Sequence, residues 1–196
     1  MATHEDLIRQ LASGDHQALK HLYAEFGVRV YNTALGMVQN REEAEEITQD
    51  VFVEMHRNAR AFKFQSSVAT WLYRITVNKS LDVLRHRNRN KRFAFVTSIF
   101  QRESGELNID APDFHHPGVA LENQENASIL FKAVDQLPEN QRTAFVLSQV
   151  EQLSQKEIAA VMNLGEKAIE SLLQRAKANL RITLEKFYPD RRKIRN

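Results

Sequence analysis

The sequence predicts an all-α fold, two small helical domains joined by a flexible linker. Three observations carry that expectation. Glycine and proline are scarce, six and four among 196 residues, and apolar residues recur at helical spacing through most of the chain. Cap-forming residues stand where the periodic stretches begin and end. The periodicity fails once, over "ESGELNIDAPDFHHPGVA", where Gly105, Pro112, Pro117 and Gly118 break it.

The first helix spans about His4 to Ala12 and stops at Ser13-Gly14. Asp15 caps the second, which runs to about Gln39 and turns Leu19, Leu22, Tyr23, Phe26, Val30, Tyr31 and Leu35 inward. Asn40, with Glu43 three residues on, predicts a capping box for a third helix, Arg41 to Ala59, striped by Ala44, Ile47, Val51, Phe52 and Met55. A polar segment, "FKFQSS", precedes a fourth helix from Val68 to about Arg89, buried through Trp71, Leu72, Ile75 and Leu84. Beyond the linker, the pattern resumes near Leu121 and continues through Ile129, Leu130, Ala133, Val134 and Leu137. Pro138 opens the next helix through Phe145, Val146 and Val150, since its missing N–H is no loss in a first turn.

Composition narrows the classes. A hydrophobic share of 42% with 27% charged residues is that of a soluble globular protein. The 196 residues suffice for two small domains. No apolar run approaches the roughly 20 residues that span a bilayer. "MATHEDLIRQ" carries acidic residues and no apolar core, so no secretory signal is expected. The chain has no cysteine, which excludes disulfides, thiolate catalysis and cysteine zinc sites and fits a reducing compartment. Net charge is only +2, but it is unevenly spread. Glu42, Glu43, Glu45, Glu46 and Asp50 form an acidic cluster, Arg85 to Arg92 a basic one, and the C-terminal end is basic again.

Two segments carry recognisable chemistry. In "SQKEIAAVMNLGEKAIESLLQRAKANLR", Ser154 and Glu157 predict a capping box, and Asn163-Leu164-Gly165 a tight turn between two helices. On the second helix Ile169, Leu172, Leu173, Ala176 and Leu180 share one stripe; Lys167, Ser171, Gln174, Ala178 and Arg181 lie opposite, with Glu170, Arg175 and Lys177 on the flanks. A DNA-reading helix needs this division, and so does an ordinary helical hairpin with a solvated face; Glu166 and Glu170 speak for the second. In "FKFQSSVATWLYRITVNKSLDVLRHRNRNKR", aromatics alternate with Arg and Lys, a composition suited to stacking unpaired bases and holding phosphates. Its loop of Lys63, Gln65, Ser66 and Ser67 offers small hydrogen-bonding groups for a flipped base. Trp71 fits a core position as well as a wedge into DNA.

An enzyme is not expected. The seven histidines are scattered, and His115-His116 lie in the linker without ligand partners at helical spacing, so no metal or cofactor is expected. No paired-carboxylate, nucleophile–base or Gly-rich phosphate pattern stands out. A stand-alone helix-turn-helix regulator accounts for the C-terminal segment but leaves the acidic helix and the loop–aromatic–basic segment without a role.

Together these segments, in this order, resemble the extracytoplasmic-function (ECF) sigma factors of bacterial RNA polymerase, within the sigma-70 family. "EEAEEITQDVFVEMH" is similar to the family's core-binding helix, and "SSVATWLYRITVNKSLDVLR" to its promoter-melting helix. "LPENQRTAFVLSQVEQLSQKEIAAVMNLGEKAIESLLQRAKANLR" is similar to region 4, which reads the −35 element. The resemblance implies region 2 over residues 1–92, a linker over 93–120, region 4 over 121–188 and a basic tail over 189–196. It implies a cytoplasmic initiation factor whose partners are core polymerase (the β′ clamp helices and the β subunit) and promoter DNA. An anti-sigma factor is a further partner of many relatives.

Matched residue by residue, Glu46, Gln49 and Asp50 fall where the family meets the clamp helices. Lys63, Phe64, Gln65, Ser66 and Ser67 fall on the loop that takes the extruded −10 base. Trp71, Arg74, Asn78, Lys79 and Arg85 follow on the helix beside it. Lys167, Glu170, Ser171, Gln174, Arg175 and Lys177 fall on the −35 recognition helix. Glu170 and Leu172 depart from the family, where basic residues are common. A glutamate there can accept from cytosine N4 or turn away to pair with a basic neighbour.

Overall fold

The computed structural model of the chain describes residues 2–100 and 124–186. Among these all regular secondary structure is helical. α1 (His4–Ala12), α2 (His16–Val38), α3 (Arg41–Asn58), a 3-10 turn (Ala59–Ala61) and α4 (Val68–Phe100) form the first bundle. α5 (Gln124–Asp135), α6 (Glu139–Gln149), α7 (Gln155–Met162) and α8 (Glu166–Glu185) form the second. The residues from 101 to 123, with His115 and His116, and those from 187 to 196 lie outside the described residues.

The expected helix starts are met closely, because N-caps are local. Asp15 accepts from the Gln17 N–H, and Ser154 and Glu157 complete their capping box. The box at Asn40 is only half made. Asn40 Oδ1 accepts the Glu43 N–H at 2.8 Å, while the Glu43 carboxylate turns away to Arg87 of α4. α4 also runs past the expected end at Arg89 to Phe100, since nothing before Gly105 forces the chain out of a helix. Tyr23, expected inward, is 52% exposed and covers Phe52, with the two rings 4.8 Å apart. The α3 stripe is buried as expected.

The two bundles share one interface. The core of the first, built on Leu22, Leu35, Val51 and Met55, continues into Val134, Leu137, Val146 and Leu180 of the second. Tyr73 and Val77 of α4 are buried among Leu147, Ile158, Ile169 and Leu173. Gly36 of α2 allows the close approach. A β-carbon there would stand 3.0 Å from Val146 Cγ1, tighter than ordinary contact, so an added side chain requires Val146 or α6 to shift. Arg142 of α6, 7% exposed, donates to the Met37 carbonyl at 3.3 Å, and Arg87 to that of Val38 at 3.3 and 3.2 Å. Carbonyls in the last turn of a helix have no partner within it, and two cations at that end of α2 also offset its dipole.

Candidate polymerase and promoter surfaces

Glu46, Gln49 and Asp50 are exposed on one face of α3, opposite its buried stripe. Val53, one turn on from Gln49 and Asp50, completes that face and is 45% exposed. No sequence signal marks it, because a valine in an amphipathic helix is expected in the core. Asp50 is not free-standing: Lys79 of α4 reaches it at 3.2 Å and Glu54 at 3.1 Å. Burial alone lowers the Lys79 ammonium pKa, but its bonds to Glu54 and Asp50 outweigh that and raise it. A residue expected to hold DNA thus sits against one expected to hold polymerase.

The loop before α4 exposes Lys63, Gln65 and Ser67, with Phe64 and Ser66 half-buried. Ser67 Oγ accepts the Thr70 N–H at 3.1 Å and lies 2.9 Å from the Thr70 hydroxyl, so it caps α4 as well as bordering the loop. Trp71 is neither fully core nor free. One face stacks on Phe62 at 4.4 Å and 16°, and Phe62 meets Phe64 edge-on at 4.9 Å.

Further along α4, the candidate DNA residues Arg74, Asn78 and Arg85 face the second bundle. Arg74 donates to the Ala160 carbonyl of α7, and Arg85 grips Glu139 of α6 with Nη2 at 2.9 Å and Nε at 3.3 Å. Asn78 borders a cavity of about 430 Å³ between α4 and the α6–α7 pair, together with Arg74, Leu81, Asn140 and Met162. Tyr73, which carries no sequence signal of a site, donates to Glu151 Oε2 at 2.8 Å. Burial raises both the Tyr73 hydroxyl and the Glu151 carboxyl above their ordinary values.

α7 and α8 form the anticipated helix-turn-helix. Asn163 takes the left-handed conformation at φ 54°, which an asparagine ending a helix tolerates. Gly165 then starts α8. Ile169, Leu173, Ala176 and Leu180 are buried, while Lys167, Glu170, Gln174, Arg175 and Lys177 are exposed and Ser171 is half-buried. The exposed side is organised by contacts between residues one turn apart. Gln174 Nε2 donates to Glu170 Oε1 at 3.5 Å, and Arg175 Nη2 to Ser171 Oγ at 2.7 Å. Glu170 therefore leans on Gln174. Among the described residues no cluster of three or more metal-ligating side chains occurs, and no helix is long and apolar enough to cross a membrane.

Comparison with known proteins agrees with this architecture. The family model for Sigma-70 region 2 matches residues 22–90, and that for Sigma-70, region 4 matches residues 128–180. The chain is 28% identical to the RNA polymerase sigma-H factor of Pseudomonas aeruginosa over 173 residues, 88% of this chain and 89% of that one. It is 27% identical to the ECF RNA polymerase sigma-E factor of Escherichia coli K12 over 175 residues, covering 89% and 91%. The fold is that of CnrH, solved with the cytosolic domain of CnrY (TM-score 0.65, 24% identity, 92% of this chain and 96% of CnrH). It is shared by the sigma factor RpoE, solved with the anti-sigma factor NepR from Bartonella quintana (TM-score 0.60, 20% identity, covering 85% and 96%). With both regions matched in order and the helical architecture in place, the chain belongs to the sigma-70 family, as an ECF sigma factor that directs RNA polymerase to promoters.

Proposed function

We propose that this sigma factor divides promoter recognition among three surfaces and performs no bond chemistry of its own. α3 offers Glu46, Gln49, Asp50 and Val53 to the β′ clamp helices, an acidic and apolar face suited to a basic partner and repelled by DNA. The loop Lys63–Ser67, with Trp71, takes an extruded −10 base. Stacking of about 1–3 kcal/mol per base offsets the cost of melting without ATP. Arg74, Asn78, Lys79 and Arg85 hold the phosphates and bases that follow. On α8, Glu170, Ser171 and Gln174 face base edges while Lys167, Arg175 and Lys177 meet the backbone.

The observation that carries this reading is the two-sided α8, with its apolar stripe buried and its polar readers exposed after a helix-ending Asn163. In this reading α4 parts from α6 and α7 before Arg74 and Arg85 meet DNA, because both are engaged there. An anti-sigma factor, of the kind bound to RpoE, is a further partner, and the protein works in the cytoplasm. The deciding experiment adds the protein to core polymerase and maps transcript starts, beside a gel-shift with and without core. Specific promoter binding that needs core supports the reading; equally strong specific binding by the protein alone overturns it.

A further inference from the structure

α1 lies outside the surfaces described above, yet two contacts tie it to the base-capturing loop. Arg60, in the 3-10 turn before the loop, donates from Nε to the Ala12 carbonyl at 2.9 Å. Arg9 places its guanidinium carbon 4.9 Å from the centre of the Phe64 ring. Phe64 needs holding. Its φ of 56° lies in the left-handed region, which a bulky side chain occupies only where its surroundings over-determine it. A cation over the ring, with Phe62 at its edge, supplies such surroundings.

Arg9 is itself held in place. Asp6 and Glu5 each meet it at 3.3 Å, and Asp6 is pinned by the capping box it makes with Thr3. A chain of contacts therefore runs from the start of α1 through Asp6, Arg9, Phe64 and Phe62 to Trp71. We propose that Arg9 is a positioning residue for −10 recognition, fixing Phe64 so that the loop presents Lys63 and Gln65 in one conformation to the extruded base. The proposal rests on the reading of that loop as the base-capturing element.

The test uses the full chain with core polymerase on promoter duplexes that differ only at the extruded −10 base. Arg9→Ala, Arg9→Lys and a loop control, Gln65→Ala, are compared with the parent. Arg9→Ala is expected to lower the preferred-to-disfavoured ratio of open-complex formation about two- to fivefold, the range of an exposed cation–π contact. Core affinity stays unchanged, and Arg9→Lys restores at least half of the loss. Trp71 is the sole tryptophan of the chain, so acrylamide quenching of the protein without core polymerase reports the stack directly and is expected to rise in Arg9→Ala. If Gln65→Ala changes the ratio and Arg9→Ala does not, the loop reading stands and the Arg9 role is refuted. If neither variant changes it, the loop reading fails and the proposal fails with it. A loss in Arg9→Ala that is equal for all bases, or that Arg9→Lys does not restore, also overturns it.

Discussion

Arg74 donates from Nε and Nη2 to the carbonyl oxygen of Ala160, at 3.0 and 2.5 Å. Ala160 lies in the last turn of α7, where carbonyls lack a partner within the helix. The neighbouring Ala159 carbonyl is taken by the N–H groups of Asn163 and Leu164, and Arg74 supplies the donor for Ala160. A side chain expected to hold promoter DNA thus caps the first helix of the helix-turn-helix and offsets its dipole.

Replacing Arg74 with Ala is accordingly expected to act twice. It loosens the contact between the two bundles by about 1 kcal/mol, the net worth of a hydrogen bond, and it weakens open-complex formation. Because the chain has no cysteine, two introduced cysteines can carry a donor–acceptor dye pair across the bundles. An inter-bundle distance distribution identical to that of the parent would show that the Ala160 contact contributes nothing in solution.

Gly36→Leu separates packing from charge. The β-carbon position faces Val146 at 3.0 Å and Val150 at 3.5 Å. The larger side chain is therefore expected to displace α6 at a cost of about 1–3 kcal/mol. Within α2 the same change removes a helix-weakening glycine, which favours the helix by up to about 1 kcal/mol. The signature is a longer dye-to-dye distance with undiminished helical circular dichroism. Loss of both signals together would mean instead that region 2 fails to fold.

The half-buried Glu151 gives the interface a pH dependence whose sign is fixed. Burial raises its carboxyl above the ordinary 4.5, opposed by Tyr73 of α4 and by Thr33 and Arg29 of α2. The closed form then binds the proton more tightly than the open form. Closure weakens as pH rises from the ordinary value through the raised one, and the weakening is complete above it. Glu151→Gln keeps an acceptor for the Tyr73 hydroxyl without a charge to bury. It is expected to tighten closure at neutral pH and flatten that dependence; matching pH curves for parent and variant would refute the assignment.

On α3, Val53→Arg, which removes the apolar contact and sets a cation against a basic partner, is expected to weaken core binding at least tenfold, about 1.4 kcal/mol. Little change in melting temperature is expected, because the site is 45% exposed. Gln49→Ala with Asp50→Arg is expected to act in the same direction, though Asp50→Arg also sets a cation against Lys79. Fluorescence titration of labelled protein with core polymerase measures each. Undiminished affinity in both would remove α3 as the docking face.

On α8, Gln174→Ala is expected to change −35 preference at one or two positions by about 1–3 kcal/mol. It also releases Glu170, its contact at 3.5 Å, so a changed preference at the base Glu170 faces is expected alongside. Transcription from a panel of −35 variants decides. A uniform drop across the panel would mark Gln174 as a backbone contact rather than a reader.

Most helix starts and buried stripes, from Asp15 and Ser154 to Ile169, Leu173, Ala176 and Leu180, were legible in the sequence, because capping and periodicity involve residues within a turn or two of each other. The polar side of α8 was legible too, except that Ser171, expected on the outer face, is half-buried. The reach of the sequence ended where partners are distant in the chain. Nothing near Glu43 announces that its carboxylate goes to Arg87 rather than back to Asn40, and nothing near Val53 tells that this valine faces outward. That Arg74, Asn78 and Arg85 turn toward region 4, and that Lys79 leans on Asp50, follows from packing between distant segments. An exposed cation has no local signature for its partner. A phosphate, a carboxylate and a helix-end carbonyl all satisfy it, and packing of the two bundles brought the last two within reach.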